Sequence, residues 1–242
     1  MRESLSNSAY RFFDNWLPLA RGLLRPACLL CAGYGTTDGL CHGCRLSLPR
    51  LPAPRCTICA APGAGAEVCG RCLSRRPAFD HVVAALDYAF PADALVRSMK
   101  YRGGLACARA LAAVLADALD SEPYPDLVMP MPLAPQRLRQ RGFNQAMEIA
   151  RLIGAEFGLR ITANGCRRSR ESAPQASLPW KQRAANVRNA FVCELDLEGK
   201  SVAVVDDVLT TGATLNELAA TLKSRGAREV WGWIVARTLP RR

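Results

Sequence analysis

The sequence predicts an α/β chain: an open, mostly parallel sheet with helices on its faces, preceded by a cysteine-rich N-terminal module. Three observations predict it. Apolar, β-branched runs alternate with helical patterns over residues 79–242, the signature of strand–helix–strand units. Eight of the eleven cysteines fall before residue 73, in four CxxC pairs. Half of the 242 residues are apolar, enough for one sizeable core plus a small module.

Residues 1–24 read as an N-terminal helix. Tyr10, Phe13, Leu17 and Leu24 recur at roughly helical spacing, and Pro18 bends or starts the helix. This segment does not read as a signal peptide, because Arg11, Asp14 and Arg21 interrupt its apolar stretch. No uninterrupted apolar run of about 18 residues is present, so no membrane span is expected. A cytoplasmic protein is the expectation.

Residues 25–78 form the cysteine-rich module. Cys28/Cys31, Cys41/Cys44, Cys56/Cys59 and Cys69/Cys72 spell C-x2-C-x9-C-x2-C twice, at an offset of 28 residues. Two such knuckles supply four thiolates in a tetrahedron, which suits Zn2+. The expectation is a double zinc ribbon with two structural Zn2+. A disulfide framework is the rival and needs an oxidising compartment. Cys107, Cys166 and Cys193 are unpaired in sequence, which fits a reducing one. Each half closing its own site is the simplest arrangement; alternate knuckles pairing in a cross-brace is the alternative. His42 lies inside a knuckle, but four cysteines per half suffice.

Residues 79–242 carry the alternation. Residues 81–89 read as a strand, Pro91 to Lys100 as a helix ended by Gly103 and Gly104, and 105–119 as an Ala/Leu-rich helix. Asp126–Met131 reads as a short strand. Helical patterns at 134–140 and 144–157 are separated by Gly142, and 159–163 reads as a further strand. Residues 164–186 are polar and basic without clear period and read as a mobile loop. Phe191–Cys193, 202–205 and 229–236 read as strands, with a helix to about Arg225 between the last two.

The residues of greatest chemical interest follow Val202–Val205. Asp206 and Asp207 come first, then a loop of Thr210, Thr211, Gly212 and Ala213, then Thr214 as a helix cap with Glu217 three residues on. A strand, a tight loop and a helix N-terminus make an anion site. Carboxylates beside it accept hydrogen bonds from sugar hydroxyls. Neither GxxxxGK nor GxGxxG is present at this site.

The formal charge of +11 is uneven. Residues 134–190 hold eleven Lys/Arg and three acids; residues 25–77 hold seven Arg and two acids. Basic surfaces attract polyphosphates or nucleic acid. Eight thiolates and two Zn2+ would carry −4, which largely cancels the excess of the cysteine-rich module.

The stretch VVDDVLTTGAT resembles the phosphoribosyl-pyrophosphate (PRPP) motif of type I phosphoribosyltransferases. With KYRG (100–103), PMPL (130–133), RLRQRGFNQA (137–146), Gln175, and Arg183 to Phe191, all behind a cysteine-rich N-terminus, the whole chain resembles the ComF family, also called competence protein F or GntX-like proteins. The resemblance implies a phosphoribosyltransferase-type domain joined to the double ribbon, in a bacterial protein of DNA uptake or external DNA use. It implies PRPP with Mg2+ bound by Asp206, Asp207, Thr210, Thr211, Gly212, Ala213, Thr214, Lys100 and Arg137, with Asp206, Asp207 and Arg141 as catalytic residues. Met131–Leu133 would offer backbone N–H groups to pyrophosphate, although Pro132 has none. Thr210 stands where purine enzymes of this type carry Asp, as in orotate-type loops. The alternative is a non-catalytic, PRPP-sensing protein that binds single-stranded DNA along Arg137, Arg139, Arg141, Arg167, Arg168 and Arg170, in contact with the DNA-uptake machinery.

Overall fold

The computed structural model describes residues 27–36, 38–63, 67–101, 104–169 and 189–239. The expected N-terminal helix, Arg102, Gly103, Arg170, Gln175 and Arg183 lie outside the described residues. The chain divides into two compact units, Met1–Ser47 and Leu48–Arg242. Each unit holds one half of the cysteine repeat.

In both halves a knuckle turn leads to a five-residue helix, α1 (His42–Leu46) in the first and α2 (Gly70–Ser74) in the second. The backbone repeats at the offset of the sequence. The Cys28 N–H donates to the Gly33 carbonyl at 2.7 Å, and the Cys56 N–H to that of Ala61 at 2.8 Å. Ala32 and Ala60 both sit at positive φ, 58° and 54°.

The second unit is built on four parallel strands: β1 (His81–Asp87), β2 (Leu127–Pro130), β5 (Ser201–Leu209) and β6 (Glu229–Arg237), in the order β1-β6-β5-β2. The two central strands are buried almost throughout, as the near-continuous apolar runs require. Helices α3 (Ala92–Tyr101) and α4 (Leu105–Leu119) follow β1; α5 (Pro135–Arg141) and α6 (Gln145–Phe157) follow β2. Pro135 opens α5, where its missing N–H costs nothing, and Gly142 ends it at φ 77°. Helix α7 (Ala213–Lys223) joins β5 to β6.

Four local expectations are corrected. Residues 159–163 make only an isolated parallel bridge, Val128 to Ile161. Residues 166–168 are not loop: β3 (Cys166–Arg168) pairs antiparallel with β4 (Phe191–Cys193). Cys166 and Cys193 face each other there and are joined in a disulfide, whereas the sequence suggested no partner for either. The last strand before the acid pair does not stop at Val205; β5 runs to Leu209, because pairing with β6 continues through Leu209–Arg237.

Among the described residues no helix is long and apolar enough to cross a membrane.

Candidate functional site

Parallel strands end on a common edge, and ligands of such sheets sit beyond it. The pairs Pro130–Val205, Leu209–Arg237 and Asp87–Arg237 place the C-terminal ends of all four strands there. Asp206 and Asp207 are the acid pair of that edge. Adjacent residues of a strand point to opposite faces, so the two carboxylates meet different neighbours. Asp207 is buried, and its Oδ2 lies 2.8 Å from Lys100 Nζ of α3. Asp206 accepts from the Asp207 N–H at 2.9 Å. Burial first and the charge of Asp207 second push the Asp206 carboxyl up to about 7, although Lys100 and Arg168 pull it down. A ligand-free carboxyl poised near neutrality is ready to become a full acceptor.

Helix α7 opens at Gly212, whose φ of 81° favours glycine. Thr214 is therefore not the cap; it lies in the first turn. The Thr211 hydroxyl accepts from the Ala213 N–H at 3.1 Å and so orders the turn from within. Glu217 does not close a capping box. Its Oε1 accepts from the Asn189 N–H at 2.6 Å and ties α7 to the residues before β4.

Of the predicted cations, Lys100, Arg137 and Arg141 are half-buried, while Arg139 is exposed. Arg141 donates to Gln145 Oε1 at 3.0 Å, one turn along. Asn144 caps α6 by accepting from the Ala146 N–H, and its Nδ2 donates to the Met131 carbonyl at 3.1 Å. That side chain holds the 131–133 turn in place, a role the motif did not announce.

Sequence reasoning assigned Arg168 to the single-stranded-DNA track. In the structure it is half-buried. Its guanidinium stacks over the Phe191 ring at 5.6 Å, and its charge acts on Asp206 and Arg137. Arg167, its neighbour in β3, is exposed and 4.0 Å from Glu194. Strand alternation at 166–168 is the signal that separates them, but a basic stretch without a recognised strand hides it.

The eight cysteines resolve into two groups, Cys28, Cys31, Cys41, Cys44 and Cys56, Cys59, Cys69, Cys72, with the sulfurs of each group within 4.8 Å of one another. Each half closes its own site, and the cross-brace is excluded. The donor chemistry fits Zn2+. Sγ of Cys28 and of Cys56 accepts a backbone N–H, from Cys41 at 3.4 Å and from Cys69 at 3.3 Å. Burial alone would raise both thiols, yet such N–H groups hold each at about 6, a ready thiolate.

The comparisons follow the same division. The double zinc ribbon domain family matches residues 19–73, and the phosphoribosyl transferase domain family matches residues 138–236. A DNA utilization protein YhgH from Salmonella typhi is 32% identical over 225 residues, 84% of this chain and 99% of that protein. The chain belongs to the ComF family. Competence protein F of Haemophilus influenzae is 31% identical over 222 residues, covering 87% of this chain and 96% of that one. The Bacillus subtilis competence protein ComFC is 25% identical over 228 residues, 85% and 92% of the two chains. The ComF architecture of zinc ribbons and phosphoribosyltransferase domain is thus the architecture of this chain.

Proposed function

We infer that the protein binds PRPP at the edge between β5 and α7 and transfers its phosphoribosyl group, in the service of DNA utilisation. The observation that carries this is the acid pair: Asp206 and Asp207 stand at the end of β5, with Lys100 on one and the charge of Arg168 on the other, directly before a glycine-opened helix. The 5-phosphate takes the first turn of α7 and the hydroxyls of Thr210, Thr211 and Thr214. The ribose hydroxyls donate to Asp206 and Asp207. Mg2+ bound with PRPP would offset the charge of its phosphates, and Asp206 and Asp207 are the side chains that would hold the pair. As the bond from C1 to pyrophosphate breaks, the leaving oxygen keeps the electron pair, C1 takes a lone pair of the acceptor, and the acceptor gives up its proton to solvent. Lys100, Arg137, Arg141 and Arg168 then stabilise charge on the departing pyrophosphate. DNA utilisation and competence come from the names of the relatives.

Calorimetry tests the assignment. Asp206→Ala with Asp207→Ala is expected to weaken PRPP binding by roughly 1.5–3 kcal/mol for each lost hydrogen bond to a charged acceptor. Unchanged affinity in a folded double variant removes PRPP as the ligand.

The exposure of Arg139 and Arg167 supports a second reading, a single strand of DNA on the outer basic surface. Arg139→Ala with Arg167→Ala is expected to reduce the salt slope of DNA binding by about 1.4, at about 0.7 per phosphate contact. A slope equal to that of the wild type shows that these arginines are only solvated.

A further inference from the structure

Arg237, the last residue of β6, is 3% exposed. Its Nη2 donates toward Cys59 Sγ at 3.8 Å. Its Nε and Nη1 are buried with no hydrogen-bond partner among the described residues. A guanidinium in a protein interior is always charged and needs an opposite charge beside it. The charges that favour the cation here are those of Cys59, Cys69 and Cys72. Four thiolates around one divalent metal carry a net −2.

The same arginine is part of the frame of the anion site. Arg237 pairs with Leu209 of β5, and the Thr238 N–H donates to the Leu209 carbonyl at 2.9 Å. On its other side, the Tyr88 N–H donates to the Arg237 carbonyl at 2.8 Å. Leu209 is the residue immediately before the Thr210–Ala213 loop. The chain leaving the second ribbon reaches that loop as well. The Ala78 N–H donates to Asn216 Oδ1 at 2.8 Å, and the Phe79 ring lies 3.6 Å from where a Cβ on Gly212 would stand. Cys56, Cys59, Cys72, Phe79, Leu209 and Leu215 belong to one apolar cluster.

We propose that the second cysteine cluster, loaded with metal, positions the phosphate loop, and that Arg237 is the positioning residue joining the two. The thiolates of Cys56, Cys59, Cys69 and Cys72 keep the guanidinium buried, and the buried guanidinium keeps the end of β6 against Leu209. When the metal leaves, the four sulfurs are no longer held together as one anionic cluster against Arg237, and the loop loses its frame. The metal state of this ribbon thereby regulates anion binding. The regulatory part rests on the PRPP reading; the coupling of cluster to loop does not.

The full-length, zinc-loaded protein tests it. Zinc release to a chromogenic chelator is timed for wild type, Arg237→Met and Arg237→Lys, while alkylation and mass spectrometry identify which cysteines become free. Arg237→Met is expected to speed release from Cys56–Cys72 by about 10–100-fold, as loss of a partner to a metal ligand does. Release from Cys28–Cys44 is expected to stay as it is, and Arg237→Lys to recover part of the difference. Hydrogen exchange on the wild type alone gives a second measurement that needs no variant. Amides 206–216 are expected to exchange faster once the second cluster is emptied, and not when the first is. Equal release in Arg237→Met and wild type, or unchanged exchange at 206–216, overturns the proposal. PRPP titrations on the same samples separate the two claims: no binding in any sample sinks the ligand, while release and exchange still judge the coupling.

Discussion

The two cysteine clusters have the same ligand spacing, the same backbone turns and equivalent short helices, yet they are buried to different degrees. In the first, Cys31 is exposed, α1 buries no residue, and Tyr34 and Leu46 are 76% and 72% exposed. In the second, Cys56, Cys59 and Cys72 are all buried, and the surrounding core is shared with strands β5 and β6. The difference separates two jobs of one motif. A knuckle pair of five-residue helix and tight turns has too little apolar surface to hold itself, so the metal supplies its folding free energy. The first cluster stops there. The second adds a buried arginine and an apolar seam, and so joins the core of the strands that carry the acid pair.

Removing ligands from each cluster gives the largest contrast. Apparent binding free energies of structural zinc are about 10–16 kcal/mol. Cys56→Ser with Cys59→Ser is expected to take the sheet of the second unit down with it, seen as loss of the main transition in thermal circular dichroism. Cys28→Ser with Cys31→Ser should leave that transition standing. Equal losses from the two pairs would break the comparison.

A smaller contrast concerns apolar packing. Phe79 is 4% exposed and belongs to the core beside the second cluster. Phe79→Ala is expected to cost about 3–5 kcal/mol in urea denaturation. Leu46→Ala, on the exposed helix of the first cluster, should stay within about 0.5 kcal/mol. A cost for Leu46→Ala approaching that for Phe79→Ala means that the first ribbon is covered in solution.

The smallest effect lies in pH. Between its ordinary value of 3.8 and about 7, Asp206 holds a proton in the folded, ligand-free protein that the unfolded chain has lost. The native state thus binds more protons in that window, and stability falls as pH rises through it. Ribose hydroxyls donate best to the carboxylate, so affinity for PRPP should rise over the same window and level off above about 7. The limit is tenfold per pH unit, about 1.4 kcal/mol. Calorimetry across the window checks it. Asp206→Asn should flatten the profile, and Cys28→Ser with Cys31→Ser should keep it. A flat wild-type profile removes Asp206 from the ligand's contacts.

Much of this was legible in the chain itself. The knuckles are readable because metal ligands three residues apart are set by local turns, and a repeat at a fixed offset repeats the turns. The central strands, the acid pair and the Thr/Gly loop are readable for a similar reason: β-branched runs, a glycine at positive φ and a helix start are local matters. Boundaries were less so. The end of β5 at Leu209 depends on β6, which supplies the pairing, and a Thr/Glu pattern mimics a cap that Gly212 provides instead.

What only the tertiary structure decided involves residues far apart in sequence. The charge of Arg168 acts on Asp206 because β4 pairs with β3 across a long connection and puts Phe191 beneath it. Cys166 finds Cys193 for the same reason. Arg237 meets Cys59 across a sequence separation of 178 residues. The ligand spacing of the two ribbons is identical, so nothing local distinguishes the one that borders the Thr210–Ala213 loop. Burial distinguishes them, and burial is a property of what packs against a segment from elsewhere in the chain.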